Sequence, residues 1–361
     1  MRRGRGRGAA VSSGQRQGRA LHLGHAPAFR AGCPADRLVL YGDDHSVRLG
    51  RSLGQAMRID GFSAPLMASW QFTKDCNLAC LHCCADCAPG SRMPGELDAA
   101  EALHVAQQLA AAEVPYVLFS GGEPMSASHF WDVAQTLGRA GIYLKVETNG
   151  QRLSEADAAR LARLPIRSIQ VSLDGATQQA YSRLRPAASL QAALRACRLI
   201  RRHQLPLEVA FVPTRFNMDE AEAVMDLALE LGAFRFNTGA LMRLGRAARL
   251  WDALKPSFQE DGQFLKLLIR KREELAGRLE LCFRPYSLRE GMEEWLREPP
   301  GTLLVQADGT VKVSAVLPFL CADMRKDSLA AAWDYYRAAC RSDDVVNALR
   351  ALIYEDLPVV V

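Results

Sequence analysis

The sequence has no apolar run long enough to cross a membrane and no hydrophobic segment behind its basic start, so neither a spanning helix nor a secretory signal is expected. It also lacks a broad charge of one sign. Six arginines and no acid fall within residues 1–20, and without them the formal charge of +5 drops close to neutral. A body with no basic surface gives no support to a nucleic-acid partner. The Arg-rich, Ser-containing start has the composition of a solvated tail, and equally that of an organelle transit peptide. Residues 1–30 are expected to be disordered, and the rest to be a soluble, cytoplasmic protein with no membrane partner.

Disulfides are not expected either, because cytosolic reductants keep thiols reduced and nothing here directs export. There are nonetheless ten cysteines, five of them between Cys76 and Cys87. Clustered thiols in a reducing compartment read first as metal ligands. With 361 residues and 49% hydrophobic content, the chain can fill the core of one large domain and a smaller appendage.

Residues 31–64 form a short N-terminal segment with a hairpin expected at Gly42-Asp43-Asp44. From residue 66 short apolar runs alternate with amphipathic helical patterns. The runs are Met67–Phe72, Tyr116–Phe119, Tyr143–Glu147, Ser168–Leu173, Leu207–Val212 and Phe234–Thr238, with helices near 97–112, 127–140, 154–164, 188–204 and 218–232 between them. Such alternation calls for a parallel sheet with right-handed crossovers. Six units are fewer than the eight of a closed barrel, so the expected fold is α/β, a partial (βα)6 TIM-like barrel over 65–244. A helix near 256–277, a hairpin in TLLVQADGTVKVS turning at Asp308-Gly309, and a final helix at 328–352 are read as a smaller C-terminal α+β domain, 245–361. Ligands of such sheets sit at the carboxyl ends of the strands, where the polar motifs of this sequence fall.

The first of these is KDCNLACLHCCADC. Cys76, Cys80 and Cys83 stand as C-x3-C-x2-C, a spacing that lets one loop wrap an iron–sulfur cubane and place thiolates on three of its four irons. Zinc is the alternative on spacing alone, with His82, Cys84 or Cys87 as a fourth ligand. Further on come FSGGEP with Gly121, Gly122 and Glu123, VETNG with Thr148 and Asn149, and QVSLDG with Ser172 and Asp174 two apart on one strand face.

Together these motifs resemble the radical S-adenosylmethionine (SAM) superfamily across residues 66–250. The resemblance implies a 4Fe-4S cluster on Cys76, Cys80 and Cys83 whose open iron takes the amine and carboxylate of SAM. It implies that Gly121, Gly122 and Glu123 hold the methionyl amine, that Asn149 faces the cofactor, that Ser172 and Asp174 bind ribose hydroxyls, and that Arg185 in AYSRLRPAASL pairs with the SAM carboxylate. Arg185 matches by position better than Arg183, although Pro186 stands where relatives usually have glycine. LMRLGRA, and TLLVQADGTVKVS followed by DSLAAAW, resemble members that carry a C-terminal SPASM domain housing auxiliary clusters. Here Ser314 replaces the cysteine that normally closes the second strand, and only Cys282, Cys321 and Cys340 remain, so the domain reads as degenerate; the reading preferred is no auxiliary cluster, and the alternative is one cluster on those three thiolates.

The activity so implied is reductive cleavage of SAM to a 5′-deoxyadenosyl radical that abstracts hydrogen from a substrate, with a flavodoxin or ferredoxin as electron donor. Relatives of this type modify ribosomal peptides or peptide-derived cofactor precursors, the reading preferred here; others modify haem and tetrapyrrole side chains. A basic cleft suited to propionates separates the two. The remaining alternative is a non-enzymatic zinc or iron–sulfur scaffold. No proton or hydrogen donor stands out among Tyr181, Tyr286, Cys282 and Cys321.

Overall fold

The computed structural model describes residues 59–283 and 285–354. All the described residues belong to one compact unit. The basic tail and the hairpin expected at Gly42-Asp43-Asp44 lie outside the described residues.

The expected alternation is present. Strand β1 (Met67–Thr73) is followed by α1 (Ala99–Ala111), β2 (Tyr116–Gly121), α2 (Phe130–Arg139), β3 (Tyr143–Thr148), α3 (Glu155–Leu161) and β4 (Ile166–Ser172). Then come α4 (Gln178–Leu184), α5 (Leu190–Arg202), β5 (Leu207–Phe211), α6 (Ala221–Glu230) and β6 (Arg235–Thr238). Helix starts follow local chemistry: Asp98 and Glu101 form a capping box on α1, as do Ser154 and Asp157 on α3. Helix α4 is an element not expected from the sequence; the Thr177 side chain caps it, and it ends just where Arg185 begins.

The downstream elements are α7 (Gly245–Arg249), α8 (Trp251–Leu254), α9 (Phe258–Glu274), β7 (Glu280–Cys282), α10 (Leu288–Arg297), β8 (Thr302–Val305), β9 (Thr310–Lys312), β10 (Leu320–Asp323), α11 (Leu329–Ala339) and α12 (Asp343–Tyr354). They do not stand apart from the barrel. The sheet runs β10-β9-β8-β1-β2-β3-β4-β5-β6-β7. β7 adds to β6 in parallel, with Asn237 opposite Cys282, and β8 adds to β1 in parallel, with Trp70 opposite Val305. No break in the sheet therefore falls at the boundary drawn near residue 245. Eight strands are parallel, two more than the six expected, and β7 and β8 lie in different halves of the order, so the sheet stays open.

Two local expectations are corrected. The β8–β9 connection spans Gln306–Gly309 rather than two residues, because Gly309 alone takes a left-handed φ (83°) while a type I′ turn needs two. The single C-terminal helix is broken at Cys340–Ser342, where the Ser342 hydroxyl accepts from the Val345 amide and starts α12.

The sheet has an apolar and a polar face. Trp70 and Phe72 of β1 and Phe119 of β2 pack edge to face or stacked with one another, and Phe72 and Phe119 meet Phe130 of α2. Alternation then turns Glu147, Gln170, Ser172 and Asn237 the other way, into a cleft at the carboxyl ends of the strands.

Candidate functional site

The cleft has a volume of about 540 Å³. Its rim and walls bring together Cys76, Cys80, Cys83, Cys84 and Cys87 from the loop after β1, Gly121 and Gly122 from the end of β2, Thr148 and Asn149 from β3, Ser172 from β4, and Arg185. Residues 109 positions apart in the chain, Cys76 and Arg185, thus meet because each follows a parallel strand or its crossover.

The cysteine loop is fastened on three sides. The Gly122 amide donates to the Thr73 carbonyl at 2.7 Å and the Glu123 amide to the Asp75 carbonyl at 2.9 Å. A Cβ on Gly122 would stand 1.9 Å from the Asp75 oxygen, so the glycine is needed for β2 to lie against the loop, not only to admit a ligand. Asn149 donates to the Asn77 side chain at 2.9 Å and approaches the Cys76 sulfur at 3.6 Å. From the far side Arg246 donates to the carbonyls of Cys80 (2.7 Å) and Cys87 (3.0 Å), and its amide donates to that of Cys83 (2.9 Å). The sequence contained this residue in LMRLGRA without showing its task, because the carbonyls it serves lie some 160 residues away.

Two carboxylates sit differently from expectation. Both oxygens of Glu123 accept from the Thr148 hydroxyl at 2.9 Å, and one also accepts from the Asn149 amide at 2.9 Å. The side chain is buried, is not among the residues that line the cleft, and joins the tips of β2 and β3. Burial pushes it up to about 7, opposed by those donors. Asp174 likewise does not share the cleft face with Ser172: β4 ends at Ser172, so strand alternation no longer governs it. It is fully buried, 2.6 Å from Arg185 Nε and 3.2 Å from His82 Nε2, and accepts the Val212 amide at 2.8 Å. Although burial alone would raise its pKa, Arg185, His82 and the Val212 amide hold the carboxyl well below the usual range.

Arg185 itself reaches the cleft, with one Nη 3.5 Å from the Cys80 sulfur and the other 3.4 Å from His82. Arg183, by contrast, is exposed and lines a different cavity. Pro186 is accommodated by an exposed turn in which Ala187 takes a left-handed φ of 64°.

The thiols have the surroundings of cluster ligands. The Leu78 amide donates to the Cys76 sulfur at 3.5 Å and the Cys87 amide to the Cys83 sulfur at 3.3 Å, contacts that favour thiolate. The hydrogen bond from the Cys87 thiol brings Cys83 down to about 5, whereas burial pushes Cys76 up to about 11. Burial also raises Cys80, with Arg185 pulling the other way. His82 Nδ1 is buried beside them with no hydrogen-bond partner. Among the described residues no three His, Cys, Asp or Glu side chains converge as ligands of one ion. A zinc site with Zn–S bonds of about 2.3 Å needs that convergence, whereas a cubane takes each thiolate on a separate iron. The donor set therefore fits the cluster better than zinc.

In the C-terminal part, burial raises Cys340 after α11, and Cys321 on β10 adds to the rise. Cys282 lies on β7, at the opposite end of the sheet order from β10, and the three do not form one ligand group. Ser314 is buried, its hydroxyl turned to the Val316 amide.

Residues 70–228 match the radical SAM superfamily. Over 216 residues the chain is 32% identical to the mycofactocin maturase MftC of Mycolicibacterium smegmatis, covering 60% of this chain and 54% of that protein. It is 25% identical to the AdoMet-dependent heme synthase of Methanosarcina barkeri, covering 75% of this chain and 83% of that one. The chain thus spans little more than half the length of the maturase. Among solved structures, SuiB of Streptococcus suis bound to its precursor peptide SuiA superposes with a TM-score of 0.63 at 14% identity, over 88% of this chain and 76% of that one, and shares the fold.

Proposed function

We propose that this chain, whose residues 70–228 match the radical SAM superfamily, is a cytoplasmic radical SAM enzyme that modifies a ribosomal peptide or a peptide-derived cofactor precursor. The observation that supports this most is the meeting of Cys76, Cys80 and Cys83 with Gly121, Gly122, Asn149, Ser172 and Arg185 around one cleft. Cys76, Cys80 and Cys83 would hold a 4Fe-4S cluster, which would supply the low-potential electron for reductive cleavage of bound SAM. The protein's own contribution is placement. Arg185, held at Nε by Asp174 and reaching the cleft beside Cys80, is suited to a carboxylate. The Ser172 hydroxyl is suited to a ribose hydroxyl, and Glu123 and Asp174 act one layer behind. Electrons come from a flavodoxin- or ferredoxin-type donor.

The charge of the cleft favours a peptide over a tetrapyrrole. Arg185 is the one permanently cationic side chain among the described residues that line it, and Asp174 neutralises it. Glu147 adds a negative charge to the same wall. Among the described residues, two or more propionates would find no free cation there.

The test is anaerobic reconstitution with iron and sulfide, then SAM and dithionite. Production of 5′-deoxyadenosine by wild type, lost in the Cys76/Cys80/Cys83 triple alanine variant, is the expected result. No 5′-deoxyadenosine from an iron-loaded wild type sinks the enzyme reading, and a co-purified macrocycle with its visible absorbance replaces peptide by tetrapyrrole.

A further inference from the structure

The floor of the cleft carries a polar chain that the SAM reading does not use. Lys145 of β3 pairs with Glu208 of β5 at 2.7 Å. The Asn237 amide donates to Glu208 at 2.6 Å and to Gln170 Oε1 at 2.9 Å, and the Gln170 amide donates to Glu147 Oε1 at 3.2 Å. The order follows the register, since Glu147 stands opposite Gln170 and Gln170 opposite Glu208 on adjacent parallel strands.

The chain ends unevenly. Glu208 is compensated twice, by Lys145 and by Arg235 at 3.7 Å. Glu147 lines the cleft, yet its hydrogen bond comes from a neutral amide, and the nearest amine, on Lys145, is committed to Glu208. A half-buried carboxylate without a paired cation is costly, and burial raises the Glu147 pKa, opposed in part by the Lys145 charge. Gln170 fixes one oxygen of this cleft-lining carboxylate.

We propose that Glu147 is a substrate-recognition residue, and that the group it receives is a cationic nitrogen, an ammonium or guanidinium, of the molecule to be modified. This rests on the peptide-modifying reading and narrows it: the side chain or terminus brought into the cleft carries a positive charge. An incoming cation supplies the missing counter-charge, and Gln170 holds the carboxylate so that one geometry is selected.

The experiment uses the anaerobically reconstituted full chain and two small probes that differ in the ammonium group, N-acetyl-lysine amide and N-acetyl-norleucine amide, with binding followed by ligand-observed NMR. Wild type is expected to bind the lysine probe at least about tenfold tighter, E147Q to bind both alike, and E147K to prefer N-acetyl-glutamate amide. Equal binding of the two probes by wild type, no detectable binding of the lysine probe, or a lysine preference that survives in E147Q overturns the inference. Wild-type iron content and 5′-deoxyadenosine formation are measured on the same preparation. Their absence counts against the radical SAM reading, and their presence without a charge preference counts against Glu147 alone.

Discussion

Arg185 Nε lies 2.6 Å from Asp174 Oδ2, and because both side chains are buried this pair decides where the rest of the guanidinium points. It points at the Cys80 sulfur, 3.5 Å away. Without Asp174, Arg185 is a buried charge with no counter-ion.

Asp174→Ala is therefore expected to destabilise the fold by about 3–5 kcal/mol, the range seen when one partner of a buried pair is removed. Urea unfolding checks it. The folded-state pKa of Asp174 is depressed, so the pair's contribution is fully present above the ordinary carboxylate range near pH 4 and drains only as pH falls below it. The wild-type minus variant difference should thus be flat from pH 5 to 8 and shrink in strong acid. A difference that grows toward acid contradicts this assignment.

Arg246 spans the cysteine loop with two side-chain hydrogen bonds, to Cys80 and Cys87. Each bond from a charged donor contributes roughly 1.5–3 kcal/mol. Arg246→Ala should lose iron to a chelator faster than wild type, and Arg246→Lys should recover little, because a compact ammonium lacks the planar fork whose two Nη groups reach the two carbonyls. Iron retention against time, read by absorbance, is the measurement; wild-type retention in both variants would remove Arg246 from the clamp.

Gly122→Ala meets the Asp75 carbonyl at 1.9 Å. Backbone on both sides leaves no flexible side chain to give way, so the loop must shift. The expected outcome is a soluble protein with native circular dichroism and less than half the wild-type iron, and full loading would show that the loop is more compliant than its packing implies.

Cys84 lines the cleft but is surplus to the three ligands. Cys84→Ser should leave iron per chain and the cluster's absorbance spectrum as in wild type. Loss of iron in this variant would make it a ligand.

How much of this could be read from the residues depends on distance along the chain. The six strands from Met67 to Thr238 were legible, because apolar runs of strand length alternate with amphipathic stretches. The cysteine spacing was legible too, since one loop contains it. What escaped were effects of long-range pairing. Residues 280–282 and 302–305 look like part of a separate appendage until β7 and β8 are seen hydrogen-bonded to β6 and β1. Asp174 looked like a partner of Ser172 because alternation was carried past the end of the strand. Glu123 looked like a ligand because the Thr148 and Asn149 donors that engage it lie on the next strand. Arg246 and Glu147 gave no local signal, as each acts on groups from distant elements.

The central claim is that Cys76, Cys80 and Cys83 hold a single iron–sulfur cluster. Metal analysis of the anaerobically reconstituted chain, wild type against the triple alanine variant, tests it most directly. About four irons per chain in wild type, with none retained in the variant, is the predicted result; zinc in place of iron, or iron that survives the triple substitution, would contradict it.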